Sequence, residues 1–83
     1  MTSPVQDTAT ATLANLKPGE AAIIKRFLSD DPAYLRFREM GLLPGTEVTA
    51  IRRAPLGDPI EFNVRGCLLS IRQLEAEQIE IER

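Results

Sequence analysis

Three features have residue types that could support chemistry: the carboxylate pairs Asp30–Asp31 and Glu75–Glu77, and the thiol of Cys67. Clustered carboxylates can hold a hard cation through oxygen. A thiolate can act as a nucleophile or bind a soft metal. Neither possibility finds support around it. The chain has no histidine and one cysteine, so the usual general base and the commonest transition-metal ligand are missing. The acids read as helix caps and solvated charges. Gly41, Gly45, Gly57 and Gly66 are spread over separate turns and build no phosphate-cradling loop. No one arginine stands out as a finger for a nucleotide. The expectation is no catalytic residue, no metal site, no cofactor and no enzyme activity.

Ten basic against twelve acidic residues leave a net charge of -2. The basic residues are scattered, with local pairs only at Lys25-Arg26 and Arg52-Arg53. A nucleic-acid surface would show a basic stripe interleaved with aromatics, and none is present. One cysteine excludes an internal disulfide. No apolar run reaches the roughly 18–20 residues that cross a bilayer, and the first twelve residues lack the pattern of a signal peptide. The expected location is the cytoplasm, without membrane insertion. What is left to consider is a surface that could bind another protein.

The elements that must position such a surface follow from punctuation and period. Residues 1–12 read as a mobile tail and 13–83 as one domain, with Leu13 and Leu16 docking at the junction. Lys17-Pro18-Gly19-Glu20 and Leu43-Pro44-Gly45-Thr46 both carry the type II turn signature, proline then glycine. Ala21–Leu28 reads as a strand, apolar on both faces near Ile23 and Ile24. Asp31 as N-cap and Pro32 at the first helical position start a short helix to about Met40. Gly41 then supplies the left-handed residue of a Schellman cap, folding Leu42 back onto Phe37.

Val48 and Ala50 mark a second strand, with Ile51 fitting its alternation less cleanly. Residues 54–59 form a loop. Ile60, Phe62 and Val64 alternate with Glu61, Asn63 and Arg65. If Arg65-Gly66 is a two-residue hairpin turn, Val64 faces Cys67, Phe62 faces Leu69 and Ile60 faces Ile71. All six then share one face, which puts Cys67 inward, whereas a slip of one residue would send an apolar set to water. Gln73–Glu77 is a polar turn or one helical turn, and Ile79 and Ile81 alternate with Glu80 and Glu82 in a last strand. The fold class is mainly β: a small closed or nearly closed barrel of about five strands with one short helical insertion.

This frame exposes a candidate surface. Leu68, opposite Asn63, points away from the core. Leu56 stands at the tip of a loop braced by Pro55 and Pro59, which lowers the entropy lost on docking. Arg52 and Arg53 supply complementarity to an acidic partner.

Five blocks then carry a resemblance. Asp-Pro-Ala-Tyr at 31–34, Arg-Glu-Met-Gly-Leu-Leu-Pro-Gly at 38–45, Arg-Arg-Ala-Pro-Leu-Gly-Asp-Pro-Ile at 52–60 and Val-Arg-Gly at 64–66, followed by Leu-Ser-Ile-Arg at 69–72, resemble the FeoA-like proteins in order and spacing. The likeness covers roughly 13–82. It implies an SH3-like domain that supports Fe(II) uptake by binding the cytosolic part of the membrane GTPase FeoB, without catalysis. A similar domain ends the metal-dependent repressors of the diphtheria-toxin-repressor type, which makes transition-metal sensing or binding the alternative.

Overall fold

Alternation is cleanest in the middle of the chain, and the fold is organised around it. The computed structural model describes residues 11–82. Five strands, β1 (Ala21–Phe27), β2 (Glu47–Arg53), β3 (Ile60–Val64), β4 (Cys67–Ile71) and β5 (Ile79–Glu82), form one antiparallel sheet in the order β4-β3-β2-β1-β5. β4 and β5 are its edges. Two short helices, α1 (Leu35–Glu39) and α2 (Gln73–Ala76), sit in the connections. A 3-10 turn at Leu13–Asn15 precedes the sheet and another, Pro32–Tyr34, leads into α1.

The hairpin register is the one that the apolar phase requires. Val64 pairs with Cys67, Phe62 with Leu69 and Ile60 with Ile71. The turn between them has Arg65 at φ 55° and Gly66 at φ 89°, both left-handed as a type I′ turn demands, and the Asn63 side chain accepts the Gly66 N–H at 3.0 Å. Ile24, Val48, Ile60, Phe62, Val64, Leu69, Ile71, Ile79 and Ile81 are buried in one cluster with Leu13, Leu16, Phe37 and Leu42.

The helical excursion closes as its caps predict. Asp31 accepts the Ala33 N–H at 2.9 Å. At the other end Leu42 donates to the Phe37 carbonyl at 3.0 Å and Gly41 to Arg38 at 3.0 Å, the two bonds of a Schellman motif, with Gly41 at φ 107°. Leu43-Pro44-Gly45-Thr46 turns directly afterwards, Thr46 donating to Leu43 at 3.0 Å. That turn is stitched to β1: Gly45 donates to the Ile24 carbonyl at 2.8 Å, and the Ile24 N–H donates to Thr46 at 2.9 Å. Phe27, Tyr34 and Phe37 meet in series as tilted rings, with centroids 5.8 and 6.0 Å apart. Arg38 lies over Phe27 and Arg36 over Phe37. Burial first, then the nearby charges of Glu75 and Asp31, push the Tyr34 hydroxyl above its ordinary pKa.

Three features depart from the sequence reading. Cys67 is exposed, not inward. It keeps the inward phase, yet it occupies a corner where the edge strand meets the turn, and none of the described elements covers it there. Glu80, placed opposite in phase to Ile79 and Ile81 by the alternation of the last strand, is 3% exposed. Thr12 bridges it across the β5 edge, and Arg26 Nε meets its carboxylate at 2.6 Å with Lys25 Nζ at 3.8 Å. Thr12 and Ala11, assigned to the tail, therefore take part in the fold, Ala11 accepting the Ile81 N–H at 2.9 Å. The rest of the expected tail lies outside the described residues.

Phe62 pairs with Ala50 on one side and Leu69 on the other, fully buried. Phe62→Ala should cost about 3–5 kcal/mol, much of the stability of a domain this small. Urea unfolding measures it, and a loss below about 1 kcal/mol would mean that the ring does not hold the core.

Candidate functional site

The candidate surface begins where β2 ends. The register of β2 on β3 shifts between Ala50 and Arg52, leaving Ile51 as the extra residue of a bulge. The bulge resets the phase. Arg52 then pairs with Glu61 on the outer face, and Arg53 pairs with Ile60 on the inner phase, at the end of the core. From there the guanidinium fans out. Arg53 Nη2 donates to the Ala14 carbonyl at 2.8 Å, and Nη1 to Gln73 Oε1 at 2.9 Å and the Gly57 carbonyl at 3.3 Å. Arg52 Nε donates to Glu61 Oε1 at 2.8 Å on the surface.

Residues 54–59 are correspondingly rigid. Ala54 donates to the Pro59 carbonyl at 2.9 Å, and Gly57, at φ 91°, donates to Ala54 at 2.7 Å. Pro55 fixes the backbone between them. Asp58 reaches across and accepts the Gln73 N–H at 2.8 Å, holding the start of α2. This frame presents Leu56 at 97% exposure. Beside it lies a groove of about 500 Å³, lined by Arg52, Arg53, Ala54, Pro55, Pro59 and Glu61.

Leu68 is 62% exposed on the outer face of β4, opposite Asn63. The two leucines stand near opposite ends of β3. The Leu56 loop enters β3 at Ile60, and the Leu68 rung lies at Asn63, roughly 10 Å further along at about 3.3 Å per residue. Of the four side chains expected on the surface, Leu56, Leu68 and Arg52 face solvent. Arg53 is half-buried, bonded to the Ala14 and Gly57 carbonyls and to Gln73 Oε1, and also lines the groove. The sequence reading missed Leu74, 75% exposed on α2 beside Gln73. Its signal was the helical offset from Ala76, which is buried. Among the described residues no group of three His, Cys, Asp or Glu side chains is placed to hold a metal.

A short five-stranded antiparallel sheet around one core, with a stiff loop and exposed leucines on its outside, defines a small SH3-like domain. The comparisons agree. A family model described as the FeoA domain matches residues 11–83, and the chain belongs to the FeoA family. Over 70 residues it is 33% identical to the "Fe(2+) transport protein A/Fe(2+) transporter FeoB fusion protein" of Porphyromonas gingivalis, covering 84% of this chain and 8% of that relative's length. The solution structure of FeoA from Chlorobium tepidum superposes with a TM-score of 0.82 at 38% identity, over 87% of this chain and 69% of that one. The zinc-complexed FeoA of Stenotrophomonas maltophilia, described as an SH3 domain protein, gives 0.77 at 25% identity, over 87% and 89%. A manganese-dependent transcriptional repressor gives 0.77 at 18% identity over 95% of this chain and 38% of its own, a likeness of fold alone.

Arg53 joins three segments that alternation leaves unconnected. Arg53→Met should cost about 1–3 kcal/mol, since it leaves three partly buried oxygens without their donor. Arg52→Met should stay within about 1 kcal/mol, as surface ion pairs do. Thermal unfolding of the two variants side by side checks this, and equal losses would contradict it.

Proposed function

We propose that this chain is a non-enzymatic accessory component of bacterial ferrous iron uptake. It docks on the cytosolic part of an FeoB-like membrane GTPase and modulates it, which gives the chain a cytoplasmic address. Membership of the FeoA family ties it to Fe(II) transport. The observation that supports the partner is the Porphyromonas relative, in which a segment similar to this one is joined to FeoB in a single polypeptide. A covalent link raises the effective concentration of one module at the other to the millimolar range, which is of use when the two act together.

The docking face in this reading is the Leu56 loop with Leu68, and Arg52 at its side. Leu56 offers an apolar anchor whose backbone is already ordered, so little entropy is lost on docking. Leu56→Ser with Leu68→Ser should leave unfolding nearly unchanged and reduce capture of the GTPase's cytosolic part by at least about tenfold, near 1.4 kcal/mol. Undiminished capture, together with undiminished iron uptake in cells, would place the binding face elsewhere.

A second reading, transition-metal binding or sensing, draws on the zinc-complexed relative and the repressor-like fold. The donor set here is poor: no histidine in the sequence, and one exposed cysteine. Calorimetric titration of the chain with Fe(II) or Zn(II) should reveal no one-to-one site with Kd of about 1 μM or tighter. Such a site would favour the second reading.

A further inference from the structure

The two edges of the sheet are built differently. β5 carries Glu80 and Glu82, and its open side is covered by Thr12, which bridges Glu80, and by the Ala11 carbonyl, which accepts the Ile81 N–H. β4 reads Cys-Leu-Leu-Ser-Ile, with no charge, proline or glycine, and its register on β3 is unbroken by a bulge. Charges, prolines, bulges and covering segments are the devices that stop an edge strand from pairing with another chain. Among the described residues β4 has none of them. Leu68 is 62% exposed, and Cys67 and Ser70 are exposed on either side of it.

The direction of the backbone groups follows from the hairpin. A two-residue turn makes its flanking residues, Val64 and Cys67, a mutually hydrogen-bonded pair, and bonded pairs alternate from there. Cys67, Leu69 and Ile71 direct their N–H and C=O toward β3. Leu68 and Ser70 direct theirs outward, where no described strand is paired.

We propose that β4 pairs antiparallel, edge to edge, with β4 of a second copy of this chain, Leu68 of each opposite Ser70 of the other. Charge selects this occupant. An uncharged strand meets itself with no like charges opposed, whereas β5 against itself would set Glu80 and Glu82 against carboxylates. The register centred on Leu69 uses every outward group of Leu68 and Ser70, each pair exchanging both of its N–H···O=C bonds. Five residues a side bury less than the roughly 1,200–2,000 Å² of a stable interface, so the dimer is weak and depends on concentration. The inference does not rest on the proposed GTPase partner. Where both hold, self-pairing and docking at Leu68 exclude each other.

The test is sedimentation equilibrium of the full chain from about 10 μM to about 1 mM, with reductant present so that Cys67 forms no disulfide. The parent should associate as concentration rises. Leu68→Lys brings a charge into the junction, and Ser70→Pro removes an outward N–H without touching the ladder to β3. Each should weaken association at least about tenfold, with the circular dichroism spectrum and unfolding midpoint of the parent retained. If Ser70→Pro does not fold, Leu68→Asp takes its place. A parent that stays monomeric, or variants that associate as the parent does, would overturn the proposal. So would loss in the position 68 variant alone when Ser70→Pro folds, since that marks a leucine contact and not strand pairing. Amide exchange at Leu68 and Ser70 that slows only when the cytosolic part of the GTPase is added would assign the edge to that partner, and also overturns it.

Discussion

Phe62 has to satisfy two registers at once. Its strand pairs with β2 through Ala50 and with β4 through Leu69, and the ring is fully buried between them. A strand's side-chain period is two, so a slip in either pairing would turn the apolar set of one neighbour to water. The small Ala50 on one flank and the larger Leu69 on the other let the ring fit without crowding. The remaining core residues join this pairing. Val48 and Val64 extend it toward the helix cap, and Ile60 and Ile71 extend it toward the end that Arg53 covers.

Bulges convert this regular arrangement into one with distinct faces. In β2 the extra residue is Ile51, and in β1 it is Lys25, where the register with β5 shifts between Ile24 and Arg26. After each bulge the alternation resumes out of step. Phe27 turns inward against Ile79, and Arg26 turns outward onto Glu80. Arg53 comes to the inner phase, where an apolar residue would be expected, and its charge is balanced by carbonyl oxygens in place of a carboxylate. A β-bulge re-aims side chains in this way. Here it yields a rigid loop at the surface without breaking the core beneath.

Much of this was legible from the residues. Turn chemistry at Gly41, Pro44, Gly45, Gly57 and Gly66, the alternation of β3 and the register of the hairpin all follow from local rules, and they agree with each other, which is why they held. What escaped was non-local. Alternation gives the face of Cys67 but not the extent of the core at a corner. The burial of Glu80 depends on residues 11 and 12, which carry no apolar signal of their own. The phase reset at Ile51 showed only as a less clean alternation, so Arg53 was read as a surface charge. On the candidate surface Leu56 and Leu68 were recognisable as outward residues. Their separation along β3 was not, because it depends on which end of a strand each loop serves.

Ala11 and Ile81 share one hydrogen bond, and Glu82 closes β5 one residue later. The two ends of the described fold thus lie side by side at the β5 edge, with β4 across the sheet from them. Adjacent ends are what permit circular permutation and insertion of one domain into another. The fold could be spliced into a surface loop of a larger polypeptide through two strands of linker rising from one point. Neither linker would cross the Leu56 loop or the β4 edge, and the inserted unit would keep both free to face its host.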